Sequence, residues 1–253
     1  MLGAVAACGD GNARGAAVVA DTPGVSRAPA ASNGAPTAAA TGTGNSAASC
    51  APAGKVRVLM VGTSLTAGYG LDPEQSYPAL LQRKADSSGL DVEIVNAGVS
   101  GETSAGALER TDWLLRAPLD VFYLETGAND GLRAVDPDAT RDNLRAILTK
   151  ARSAHPQAQL LLAQMEAPTN LGPRYTSQFH AVFPAVARET GAELVPFLLD
   201  GVAGREELNQ GDGIHPNLTG ERIVASNVWP SIARAVAAAR ARRGTLDPCP
   251  GKK

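Results

Sequence analysis

Ser64, Asp212 and His215 are the residues of this 253-residue chain whose types and spacing suit acyl transfer. A serine hydroxyl attacks a carbonyl when a base takes its proton, and the base needs an acceptor that fixes its tautomer and stabilises its charged form. Asp212-Gly-Ile-His215 puts a carboxylate and an imidazole three residues apart on a Gly-flanked turn closed by Pro216. That spacing lets the carboxylate reach one ring nitrogen and leaves the other for Ser64. The tetrahedral intermediate also needs donors aimed at its oxyanion. The Ser64 backbone N–H, a glycine N–H from the Asn96–Ser104 segment and the Asn129 side-chain amide are the candidates. Each feature also has a plainer reading: Asp-Gly is a frequent turn signal, and Asn129 could cap a helix. His155 lies before Pro156 in a helix-to-strand connection, and His180 lies in a helical segment; neither has a comparable setting.

The elements that must position these residues are legible from periodicity. Val56, Val58, Leu59, Met60 and Val61 form a nearly continuous apolar run, the pattern of a strand buried on both faces. Gly62 breaks it, and Ser64 follows at the carboxyl edge, where open α/β sheets bind ligands. Further strands are expected at 92–95, 119–124, 159–165 and 193–196. Helical spacing is expected over 73–87, 103–115, 138–154, 175–190 and 219–243, with Pro184 kinking or splitting the fourth of these and Pro230 interrupting the last. The βαβ alternation predicts an α/β fold with a parallel sheet and helices on both faces. The loops after the strands then carry the site.

Composition sets the outer bounds. Residues 9–54 are mostly Ala, Gly, Ser, Thr, Pro and Asn, a linker composition that cannot bury a core, so the folding domain is expected over 55–253. The net charge of −2 and the absence of a basic stripe argue against a nucleic-acid partner. No apolar run reaches the ~18 residues needed to cross a bilayer. Val5-Ala-Ala-Cys8 resembles a bacterial lipobox, although residues 1–8 lack the basic and apolar regions of a full signal. The expectation is a truncated lipoprotein signal, with lipidated Cys8 tethering the protein in a bacterial envelope; the other reading is chance. Cys50 approaches the amino edge of the sheet and Cys249 follows the last helix back to that edge. Arms of up to ~20 Å allow a Cys50–Cys249 disulfide. Two free thiols are the alternative.

Four ordered blocks then carry a resemblance: Gly62-Thr-Ser-Leu-Thr-Ala-Gly-Tyr-Gly70, Gly101, Gly127-Ala-Asn-Asp130 and Asp212-Gly-Ile-His215. They resemble the SGNH (GDSL) hydrolases, and within them the bacterial thioesterase I/lysophospholipase, or arylesterase-like, branch. The resemblance implies a flavodoxin-like three-layer α/β/α sandwich with a five-stranded parallel sheet. It implies Ser64 as nucleophile, Asp212 and His215 as the rest of a triad, and Ser64 N–H, Gly101 N–H and Asn129 as the oxyanion hole. Leu132, Ala167 and Pro168 are expected to line the acyl site, with Glu166, Gly131 and Arg133 alongside them. No metal and no cofactor are implied, and a monomer acting on a small-molecule ester is expected. The expected activity is a serine esterase for short- or medium-chain acyl or aryl esters, lysophospholipids or thioesters. A carbohydrate O-deacetylase is the alternative, and an inactive binding module a more distant one. Thr63 departs from the family pattern, which has Asp there. Thr keeps a donor and an acceptor but loses the charge.

Overall fold

Val56–Val61 is buried almost without interruption because it becomes the middle of a sheet covered on both faces. The computed structural model describes residues 54–246. The expectations for residues 1–53, including Cys8, and for the Cys50–Cys249 bridge lie outside the described residues. Five parallel strands are present: β1 (Val56–Gly62), β2 (Val92–Gly98), β3 (Val121–Leu124), β4 (Gln159–Ala163) and β5 (Glu193–Val195). Their order is β2-β1-β3-β4-β5. This is the flavodoxin-like order, and its switch point falls between β1 and β3. In register, Leu59 lies beside Val95 on one side and Phe122 on the other.

The helices are α1 (Ser64–Ala67), α2 (Tyr77–Ser87), α3 (Ser104–Leu114), α4 (Ala128–Leu132), α5 (Pro137–Ala154), α6 (Gly172–Thr190) and α7 (Leu218–Leu246). α2 packs on α7, whereas α3 packs on α5 and α5 on α6, which makes the two helical layers of the sandwich. Phe122, Tyr123, Leu144, Ile147, Phe179 and Phe183 are fully buried in the core between them.

Four sequence expectations need correction. The helix expected over 73–87 is a 3-10 turn, Pro73–Gln75, followed by α2. Pro78 sets that start, because a residue without an N–H fits the first helical turn. A short helix, α4, stands where a loop was expected. Pro184 does not split α6, which runs unbroken to Thr190. The carbonyl of His180, four residues before Pro184, loses its usual N–H donor and accepts instead from Gln164 Nε2 at 3.3 Å. Pro230 likewise does not interrupt α7, where Val228, Ile232, Ala235 and Val236 are buried on either side of it. Strand and helix edges otherwise move by a few residues; β3 starts at Val121, β4 ends at Ala163 and α7 ends at Leu246.

Candidate active site

The turn after β1 places Ser64 first in α1, with Thr63 as the N-cap. The Thr63 hydroxyl accepts from Leu65 N at 3.4 Å, and the Ser64 N–H is left as one of the unpaired donors at a helix start. Ser64 Oγ lies 2.9 Å from His215 Nε2. His215 Nδ1 lies 2.7 Å from Asp212 Oδ2, while Asp212 Oδ1 accepts from the backbone N–H of Ile214 at 2.9 Å and of His215 at 3.0 Å. Asp212 thus holds both the ring and the backbone of its turn. These bonds, the His215 side chain first, hold its carboxyl at about 2, below the usual range, so it is ionised at neutral pH. Nδ1 is accordingly the protonated nitrogen and Nε2 faces the serine as acceptor. Tyr69 packs against the imidazole with ring centroids 4.6 Å apart.

A buried carboxylate that sequence reading missed anchors the turn carrying Ser64. Glu125, at the end of β3, is fully buried. Its oxygens accept from Thr63 N (2.9 Å), Thr63 Oγ1 (3.0 Å), Thr66 Oγ1 (2.8 Å) and Thr66 N (3.3 Å). Burial still outweighs these four donors and pushes the carboxyl up to about 7. Gly62 is required at this contact: a Cβ there would meet Thr66 Oγ1 at 2.0 Å and Glu125 Oε2 at 2.7 Å. The structure also explains Thr63. It supplies two donors to Glu125, where an Asp would face one carboxylate with another.

The loops after β2 and β3 carry Gly101 and Asn129, the expected oxyanion donors, to the cleft beside Ser64. Gly101 adopts φ +78, a conformation open mainly to glycine. Asn129, in the first turn of α4, uses one amide hydrogen on Glu102 O at 3.0 Å and keeps the other. Asp130 is 1% exposed and accepts from Ser104 N (2.8 Å) and Ser104 Oγ (2.5 Å), which fastens the two loops together. Arg133 Nη2 donates to Gly101 O at 3.1 Å. Gln210 ties the histidine loop to the nucleophile segment, donating to Tyr69 O (2.7 Å) and Pro216 O (3.0 Å). No sequence signal marks Glu125 or Gln210, because each acts across elements distant in the chain; Asp130 stands in the Gly127–Asp130 block, but its bonds to Ser104 are not legible there.

Ser64, Gly101, Asn129 and His215 open into one cleft of about 680 Å³, and the expected Leu132, Ala167 and Pro168 line it, as does Glu166. Gly131 sits behind the wall, packed against Ala167 and Phe179. Tyr69, Leu132 and Ile214 are about half exposed at the mouth, and the lining is otherwise largely apolar, with Leu65, Phe197 and Leu199. The other histidines stay out of the relay. His155 caps α5 and bonds Leu115 O at 2.9 Å, and His180 pairs with Glu166 at 2.7 Å.

Comparison with known proteins agrees with this geometry. A model of the GDSL-like lipase/acylhydrolase family matches residues 60–223. Esterase TesA of Pseudomonas aeruginosa is 42% identical over 176 residues, covering 69% of this chain and 87% of that protein. Thioesterase 1/protease 1/lysophospholipase L1 of Escherichia coli is 38% identical over 169 residues, covering 66% and 79%. Among solved structures, the psychrotrophic esterase EstA of Pseudoalteromonas sp., in a form inhibited by monoethylphosphonate, superposes with a TM-score of 0.67 at 36% identity, covering 70% of this chain and 97% of that one. A sheet ordered β2-β1-β3-β4-β5, a serine relay at its switch point and these likenesses lead to one conclusion: the chain belongs to the GDSL-like lipase/acylhydrolase, or SGNH hydrolase, family.

Proposed function

We propose that the protein is a serine esterase that hydrolyses carboxylic esters of short to medium acyl chains, or aryl esters, through an acyl-enzyme. The observation that carries this reading is the continuous relay from Ser64 Oγ to His215 Nε2 (2.9 Å) and from His215 Nδ1 to Asp212 (2.7 Å), opening into an apolar cleft. In the proposed sequence Ser64 Oγ attacks the ester carbonyl while His215 Nε2 takes its proton. Asp212 stabilises the imidazolium that forms. The Ser64 and Gly101 N–H groups and the free Asn129 amide hydrogen receive the developing oxyanion. Collapse expels the alcohol, which takes the proton from His215. Water, deprotonated by the same imidazole, then attacks the acyl-enzyme, and Ser64 departs with the proton. The side chains supply every proton acceptor that the sequence requires.

The cleft walls support the acyl assignment. Leu132, Ala167 and Pro168 offer alkyl contacts, which favours an acyl chain over a sugar ring. The named activities of the relatives, esterase and thioesterase, point the same way. The test is a hydrolysis panel of aryl esters from acetate to laurate, lysophospholipid, acyl-CoA and acetylated sugars. Labelling with a fluorophosphonate runs beside it. The expected result is turnover of soluble short and medium esters and one label per chain, both lost in Ser64→Ala. A wild-type protein that takes up no label and hydrolyses no ester would defeat the reading. Envelope tethering through Cys8 is also proposed, carried by the lipobox-like Val5–Cys8. Acylated Cys8 in the mature protein, seen by mass spectrometry, is the expected result.

A further inference from the structure

Glu166 is the one carboxylate lining the active-site cleft among the described residues, and neither a lysine nor an arginine lines it. Arg133 lies behind the oxyanion loop with its guanidinium on Gly101 O, and Asp212 is turned to the imidazole. A single acidic side chain in a largely apolar lining, itself 37% exposed, gives the cleft one fixed site of negative charge.

The surroundings fix where that charge sits. Pro184 removes the N–H that would bond His180 O, and Gln164 Nε2 fills that place at 3.3 Å. Gln164 is 6% exposed, so its orientation is fixed by packing. The same amide donates its other hydrogen to Met165 O at 2.9 Å, which pins the loop after β4. His180 Nδ1 then donates to Glu166 Oε1 at 2.7 Å. Glu166 is thereby held beside Ala167 and Pro168, on the wall that the esterase reading gives to the acyl chain. Its second oxygen has no hydrogen-bonding partner among the described residues and remains free to interact with whatever enters the cleft.

We propose that Glu166 is a specificity-determining residue that selects acyl groups carrying no charge or a positive charge over those carrying a negative charge. This rests on the esterase reading and adds a substrate class to it. A unit charge on the acyl chain would interact with Glu166 through a partly hydrated cleft, so discrimination of about five- to tenfold between opposite charges is expected. The effect belongs to substrate binding and transition-state approach alike, so it appears in kcat/KM and shrinks with added salt.

The experiment measures kcat/KM for three p-nitrophenyl esters of matched length at low ionic strength. One acyl chain ends in trimethylammonium, one in tert-butyl and one in carboxylate. The wild type is expected to favour the cationic over the anionic ester by about fivefold or more. Glu166→Gln is expected to bring the two within about twofold, and Glu166→Lys to reverse their order. His180→Gln keeps the carboxylate and is expected to keep the preference. Fluorophosphonate labelling checks that each variant is folded. A cation-to-anion ratio unchanged in both Glu166 variants, or lost in His180→Gln while retained in Glu166→Gln, overturns the proposal. A wild type that hydrolyses none of the three esters and takes up no fluorophosphonate removes the esterase reading as well, so the two failures are distinguishable.

Discussion

Ser64 depends on three kinds of neighbour, and they differ in how sequence exposes them. In the proposed mechanism Asp212 and His215 handle the reacting proton, and their type and spacing single them out before any fold is known. By analogy with another serine hydrolase, Ser64→Ala or His215→Ala is expected to lower kcat about 10⁶-fold and Asp212→Ala about 10⁴-fold. Asn129→Ala, which removes one donor of three, is expected to cost about 10²- to 10³-fold. Measuring kcat for each folded variant on a chromogenic acetate ester checks the order, and full activity in Ser64→Ala would reject the assignment. Glu125 is the third kind. It touches no substrate, yet four hydrogen bonds from Thr63 and Thr66 converge on it. In the sequence it is one acidic residue at a strand end, indistinguishable from a solvated turn. Only the approach of β3 to β1 gives it a role.

At the scale of elements, the apolar runs and their periods placed all five strands and the order in which helices separate them. They did so because a parallel sheet buried on both faces leaves little freedom in its composition. The prolines misled for a physical reason as well. An interior proline costs a helix about 3 kcal/mol when nothing compensates. Here α6 is held by buried Phe179, Val182, Phe183 and Val186, and Gln164 satisfies the carbonyl that Pro184 strands. Pro184→Ala should therefore change stability by less than about 1 kcal/mol, far short of gaining the full proline penalty. Urea unfolding of both proteins checks this; a gain near 3 kcal/mol would show that the carbonyl is not effectively capped. Burial and a partner 16 residues away decide the outcome, and local sequence rules contain neither.

For the molecule as a whole, the buried acids set the response to pH. Glu125 is pushed up to about 7 and Glu221 to about 8, in both cases mainly by burial. Glu221 is 2% exposed and accepts the Tyr77 N–H at 2.6 Å, which caps α2 from α7. A carboxyl whose folded pKa is raised binds its proton more tightly in the native state. Between the unfolded value of 4.5 and the folded value the native chain holds more protons, so stability falls as pH rises. Stability from these groups is full below about pH 4.5 and is lost by about pH 8. Asp212 has the opposite sign, and its contribution disappears as pH falls toward about 2. Urea midpoints from pH 5 to 8 are expected to decline, and the decline should flatten in Glu221→Gln. A rise across that interval would contradict the burial argument.

The relay joins residues 151 positions apart, Ser64 after the first strand and His215 just before the last helix. A ribosome therefore makes Ser64 long before it makes His215. At about 5–20 residues per second, some 8–30 s separate the two. During that interval the serine is an ordinary alcohol. On the proposed mechanism the enzyme is born inert, and it becomes reactive only once the segment carrying His215 has been made and has folded against the end of β1.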